Sequence, residues 1–66
     1  KMTFDSFEEH VTAEKSYVKV EIEGLSTETK PTMIEGKPLW NGSTFFELDT
    51  RKVYFWSMLN EEWLGA

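Results

Sequence analysis

The residues able to do chemistry in this chain are few and scattered. Its single histidine, His10, follows Glu8 and Glu9. A zinc site would need further ligands at a defined spacing, such as the H-x-x-x-H pair of a helix, and no such spacing exists. A nucleophile triad would set a serine against His10. No nucleophile-elbow sequence is present, and an N-terminal arm is a poor platform for a preorganised base. Glu47 with Glu61 or Glu62 has the composition of a glycosidase pair, which needs a deep cleft and a fixed carboxylate separation. A chain of 66 residues offers little material for that cleft, so these carboxylates read as solvated charges. Asp49 heads no D-x-D-x-D-G run, and turn chemistry explains it better than calcium. Gly24, Gly36, Gly42 and Gly65 are too dispersed for a phosphate loop. Asn41, Gly42 and Ser43 match a glycosylation sequon but read first as a turn. The expectation is a protein without enzymatic activity, with no catalytic, metal-binding or cofactor-binding residues.

The informative side chains are the large rings. Trp40, Tyr54, Trp56 and Trp63 belong to a 15% aromatic content. Trp and Tyr are enriched at interface hot spots, where rigid rings cover much area at small entropic cost. The competing use of such rings is a small aromatic core. The expected division puts Trp40, Phe45, Tyr54 and Trp56 on a contact face. Val18, Val20, Ile22, Phe46, Leu48, Val53 and Phe55 then form the internal core.

The elements that must position them are strands. Residues 43–48 and 52–56 are rich in β-formers and flank Asp49, Thr50 and Arg51, which reads as a hairpin. A type I turn opened by Asp49 and closed by a left-handed residue puts Arg51 where glycine usually sits, at a cost on the order of 1 kcal/mol. Pairing Leu48 with Val53 sets Phe46 against Phe55. Phe45, Glu47, Tyr54 and Trp56 then share the other side, so both faces are apolar. Residues 17–23 alternate strictly and read as a half-buried antiparallel strand. Residues 25–42 read as a long loop, with prolines that bar a central strand and a turn at Asn41 and Gly42. Trp63 and Leu64 return as a last short strand. Phe4, Phe7 and Val11 lie at helical spacing, so residues 1–13 read as a short helix or an arm. The fold expected is mainly β: one small domain over 1–66, with an antiparallel sheet of three to four strands.

Composition narrows the partners. Twelve acidic residues against seven basic ones give a net charge of −5. Nucleic-acid binding needs a basic surface, and an anionic membrane surface is equally disfavoured. No apolar run is long enough to cross a membrane as a helix, and the N-terminal residues have no signal-peptide pattern. Cysteine is absent, so disulfides cannot prop up the thin core that a short chain forms. Oligomerisation or attachment to a larger assembly is the remaining support.

The block G-L-S-T-E-T-K-P-T at 24–32, then G-S-T-F-F-E-L-D-T-x-K-V-Y-F-W at 42–56, then an aromatic at Trp63, resembles small structural proteins of tailed bacteriophages. The resemblance covers 24–64, and its D-T-x-K-x-Y centre is moderately specific. Most relatives of that kind carry glycine where Arg51 stands and a D-G or N-G turn where Ser57, Met58, Leu59 and Asn60 stand. The resemblance implies a virion-associated structural protein, present in the virion or in the host cytoplasm during assembly, with other protein subunits as partners, commonly as a homo-oligomer. Two alternatives stand beside it. One is a carbohydrate-binding module using surface Trp and Tyr. The other is an acidic phage inhibitor of a host nucleic-acid-binding protein, with its carboxylates clustered on one face.

Overall fold

Strict alternation in residues 17–23 has the consequence its pattern demands. Val18, Val20 and Ile22 are buried, while Tyr17, Lys19, Glu21 and Glu23 stand on the opposite face. The computed structural model describes residues 1–65, and those residues form seven strands and no helix. In chain order they are β1 (Thr3–Val11), β2 (Ser16–Gly24), β3 (Met33–Ile34), β4 (Lys37–Pro38), β5 (Thr44–Glu47), β6 (Val53–Ser57) and β7 (Glu62–Gly65). Five of them make one sheet in the order β1-β2-β5-β6-β7, and β3 and β4 make a separate two-stranded ribbon.

The sheet is mixed, not antiparallel throughout. β2 and β5 run parallel, with Ile22 beside Phe45 and Gly24 beside Glu47, whereas the other neighbours are antiparallel. Parallel neighbours need a crossover connection rather than a tight turn. Residues 25–43 supply it, and they cross the face that carries Val18, Val20 and Ile22. This segment is therefore more than a loop. Glu35 and Gly36, both left-handed (φ 53° and 78°), close the β3–β4 ribbon as a two-residue turn. Leu39 then bridges in parallel to Val18 and is fully buried.

The N-terminal segment is a strand, neither helix nor loose arm. Its helical spacing has a local cause. A bulge between Phe4 and Ser6 inserts Asp5 as an extra residue, so Phe4 and Phe7 fall on the same face although three positions apart. Past the bulge, alternation carries Phe7, Glu9 and Val11 along that face. Thr12 turns the chain toward β2. Its backbone N–H and its hydroxyl both donate to the Lys15 carbonyl, and its oxygen accepts from the N–H groups of Glu14 and Lys15.

In the β5–β6 hairpin, Thr44 opposes Phe55, Phe45 opposes Tyr54, and Phe46 opposes Val53. The expected register is thus displaced by two residues, because Leu48 belongs to the turn. Glu47 N–H donates to the Lys52 carbonyl and Arg51 N–H to the Glu47 carbonyl, leaving a four-residue turn over 48–51. Arg51 is left-handed at φ 65°, as its position in the sequence requires. The β6–β7 turn repeats this geometry ten residues later. Glu61 N–H donates to the Ser57 carbonyl, and Glu61 sits at φ 55°.

A displacement of two preserves which residues share a side, but inside and outside are reversed relative to expectation. Phe45 and Trp56 join Val18, Val20, Ile22 and Leu39 in the core. Leu48 and Phe55 are exposed, and Phe46 and Val53 only half-buried. The crossover determines this choice, since it covers the Phe45 and Trp56 face and leaves the other uncovered. Trp63 packs edge-on against both Phe45 and Trp56, and its indole N–H donates to the Pro31 carbonyl at 2.8 Å. That bond ties the crossover down to the last strand.

Candidate contact surface

The core face is finished by polar groups that the crossover brings to it. Ser43 is fully buried between β2 and the turn at Asn41 and Gly42. Its hydroxyl donates to the Trp40 carbonyl and accepts from the Val20 N–H, replacing a ladder bond that the turn interrupts. Gly42 takes φ 87°, and Lys19 lies 3.6 Å from where a Cβ would stand.

Glu47, expected as a solvated charge, is 3% exposed. Lys30 reaches from the crossover to within 2.6 Å of its carboxylate, and the Thr50 hydroxyl donates to the other oxygen. The Lys30 ammonium also lies over the rings of Phe45 and Tyr54, at 4.8 and 4.4 Å from their centroids. The hydrogen bond from Lys30, followed by that from Thr50, holds the Glu47 carboxyl below the usual glutamate range against the opposing effect of burial. Its supposed glycosidase partners, Glu61 and Glu62, are exposed at the opposite end of β6. Asp49 also ties the crossover down. Its carboxylate accepts from the hydroxyl and backbone N–H of Ser26, which lowers its pKa.

The four expected contact residues have separate fates. Phe45 and Trp56 are enclosed within the chain itself. Tyr54 is half-buried beneath Lys30 on the covered face. Trp40 is half-buried at one end of the sheet, stacked on His10 at 4.8 Å and edge-on to Tyr17. His10 Nε2 lies 3.4 Å from the Glu8 carboxylate. Among the described residues no tryptophan or tyrosine is in the exposed class; the exposed rings are Phe4, Phe7 and Phe55.

The uncovered face of the sheet divides into two halves. On β5, β6 and β7 it carries Phe46 opposite Val53 and Phe55 opposite Leu64. Phe55 and Leu64 are 45% and 40% exposed, and Leu48, at 48%, lies just beyond in the turn. On β1 and β2 the same face carries Asp5, Glu8, Glu21 and Glu23, with Lys19 the one lysine among them. Glu23 lies beside Asp5, whose hydrogen bond and negative charge raise the Glu23 pKa. The signal for the apolar half was present in the sequence as alternation on both sides of the hairpin. The signal for the acidic half was the charged side of residues 17–23.

A second feature lies on the covered side. A cleft of about 640 Å³ opens beneath the β3–β4 ribbon, with Trp56, Met33 and Pro38 on its walls and Lys15, Lys37 and Glu61 among its polar lining. Among the described residues no three His, Cys, Asp or Glu side chains gather as a metal site. Comparison with protein-family models, with curated proteins and with solved structures returned no match.

Proposed function

We propose that this protein is a non-enzymatic structural and interaction module that works through protein contacts, beginning with a second copy of itself. The observation that carries the reading is the apolar half of the uncovered face: Phe46, Val53, Phe55 and Leu64 adjoin one another on three neighbouring strands, with Phe46 and Val53 half-buried and Phe55 and Leu64 exposed. A sheet face of this kind is stable when a second layer packs about 10 Å away. Two copies related by a two-fold axis would place these halves against each other and carry the acidic halves outward. The sequence blocks at 24–32 and 42–56 support a place for the module in a tailed-phage particle.

Light scattering behind size exclusion tests the reading over a tenfold concentration range. The expected result is a mass that rises toward a closed oligomer, and a Phe55→Ser, Leu64→Ser double variant that stays monomeric with its core intact. A wild-type chain that remains monomeric at high concentration would contradict it.

A second reading draws on the clustering of Asp5, Glu8, Glu21 and Glu23 on one half-face: an acidic ligand for a basic protein surface. It predicts salt-sensitive binding to a basic partner.

A further inference from the structure

β1 is one edge of the five-stranded sheet. It is nine residues long, and its outer rim has no neighbouring strand among the described residues. Long open edges are ready templates for another strand, and proteins usually blunt them with brevity, proline, lysine, bulges or inward-pointing charges. β1 is long and has no proline or lysine, though it carries the bulge at Asp5 and the inward-facing Glu9. Its two faces differ in kind. Toward the covered side it presents Phe4, Phe7 and Val11, which are 46%, 53% and 70% exposed. Glu9 interrupts that row, and Lys37 holds its carboxylate at 2.7 Å. Toward the other side it presents Asp5 and Glu8, backed on β2 by Glu21 and Glu23.

We propose that β1 receives an added strand from a partner protein, an extended segment alternating apolar residues with Lys or Arg. Its apolar residues would lie beside Phe4, Phe7 and Val11, and its cations beside Asp5, Glu8 and the carboxylates of β2. Main-chain hydrogen bonds to an open edge supply affinity, and alternate side chains supply specificity. This deepens the reading of the chain as an acidic ligand and rests on it. A second copy of β1 paired about Glu8 fits this edge badly, because antiparallel self-pairing there sets that carboxylate against itself. Like charges directly opposite each other destabilise a pair.

The test uses the full chain and a blocked peptide of alternating lysine and valine, matched in length to β1. Controls are the same peptide with glutamate for lysine and one with scrambled order. Amide hydrogen exchange read by NMR should slow across residues 3–11 with the lysine peptide alone. Binding should weaken about tenfold or more between roughly 50 and 500 mM salt, as screening shortens the reach of the charges. An Asp5→Lys, Glu8→Lys double variant, whose core spectrum checks its fold, should prefer the glutamate peptide. Salt-sensitive binding without protection of residues 3–11 would overturn strand addition while leaving the acidic-ligand reading in place. No binding of the lysine peptide would overturn both. Protection of residues 3–11 in the free protein that grows with its own concentration would assign the edge to a second copy and overturn the proposal.

Discussion

Three residues, Glu35, Arg51 and Glu61, hold backbone conformations that their side chains oppose. Arg51 and Glu61 both sit in the left-handed region, and each closes a four-residue turn with the same hydrogen bond to the carbonyl four residues back. A side chain there costs on the order of 1 kcal/mol that glycine avoids. Arg51→Gly and Glu61→Gly should therefore each raise stability by up to about 1 kcal/mol, read as an increase in Tm. A fall in Tm would mean that the side chain makes a contact outweighing the strain. Arg51 was legible in the sequence, because the Asp49 turn demands a left-handed residue at that spacing. Glu61 was not, because Ser57, Met58, Leu59 and Asn60 carry no glycine to mark the turn. Ser43 was not legible either. Its role depends on Val20, which only the parallel pairing of β2 and β5 brings within reach.

At the scale of elements, strands were easier to find in the sequence than their order. Alternation in 17–23 located β2, and β-formers located β5 and β6. Helical spacing misled at β1 because a bulge imitates it. The inside of the hairpin could not be read, since both its faces are apolar and alternation alone is symmetric between them. The crossover breaks that symmetry. Its ties are the Lys30–Glu47 pair, the Ser26–Asp49 hydrogen bonds and the Trp63–Pro31 bond. Glu47 and Asp49 have lowered pKa values in the folded chain. A depressed carboxyl contributes stability that is present above its unfolded value, about 4.3 for Glu and 3.9 for Asp, and is lost as pH falls through the folded value. Acidification below about pH 4 should therefore loosen residues 25–32 before the sheet melts. The Trp63 indole N–H should then exchange faster, while amides of β2 and β5 remain protected. Simultaneous loss of both would show that the crossover is held by packing, not by these carboxylates.

The described residues form a five-stranded sheet and a two-stranded ribbon, with the crossover covering one face of the sheet. The Cα trace measures 38 × 21 × 15 Å. On the other face of the sheet, Trp40 stacks on His10 and meets Tyr17 edge-on at one end. The proposed contact through Phe46, Val53, Phe55 and Leu64 would supply a second layer there and leave the acidic half of the same face to solvent. The expectation that aromatic residues of this hairpin meet a partner therefore moves from Phe45, Tyr54 and Trp56 to Phe46 and Phe55. The most direct measurement is solvent access to the Phe55 ring and the Leu64 methyls, read as NMR relaxation by a soluble gadolinium chelate. It would run from about 10 µM to about 1 mM protein, a span across which weak self-association develops. The account predicts strong relaxation of both side chains at the dilute end and protection at the concentrated end, while exposed Lys52, just past the turn, stays accessible throughout. Equal relaxation of Phe55 and Leu64 at both ends would contradict it.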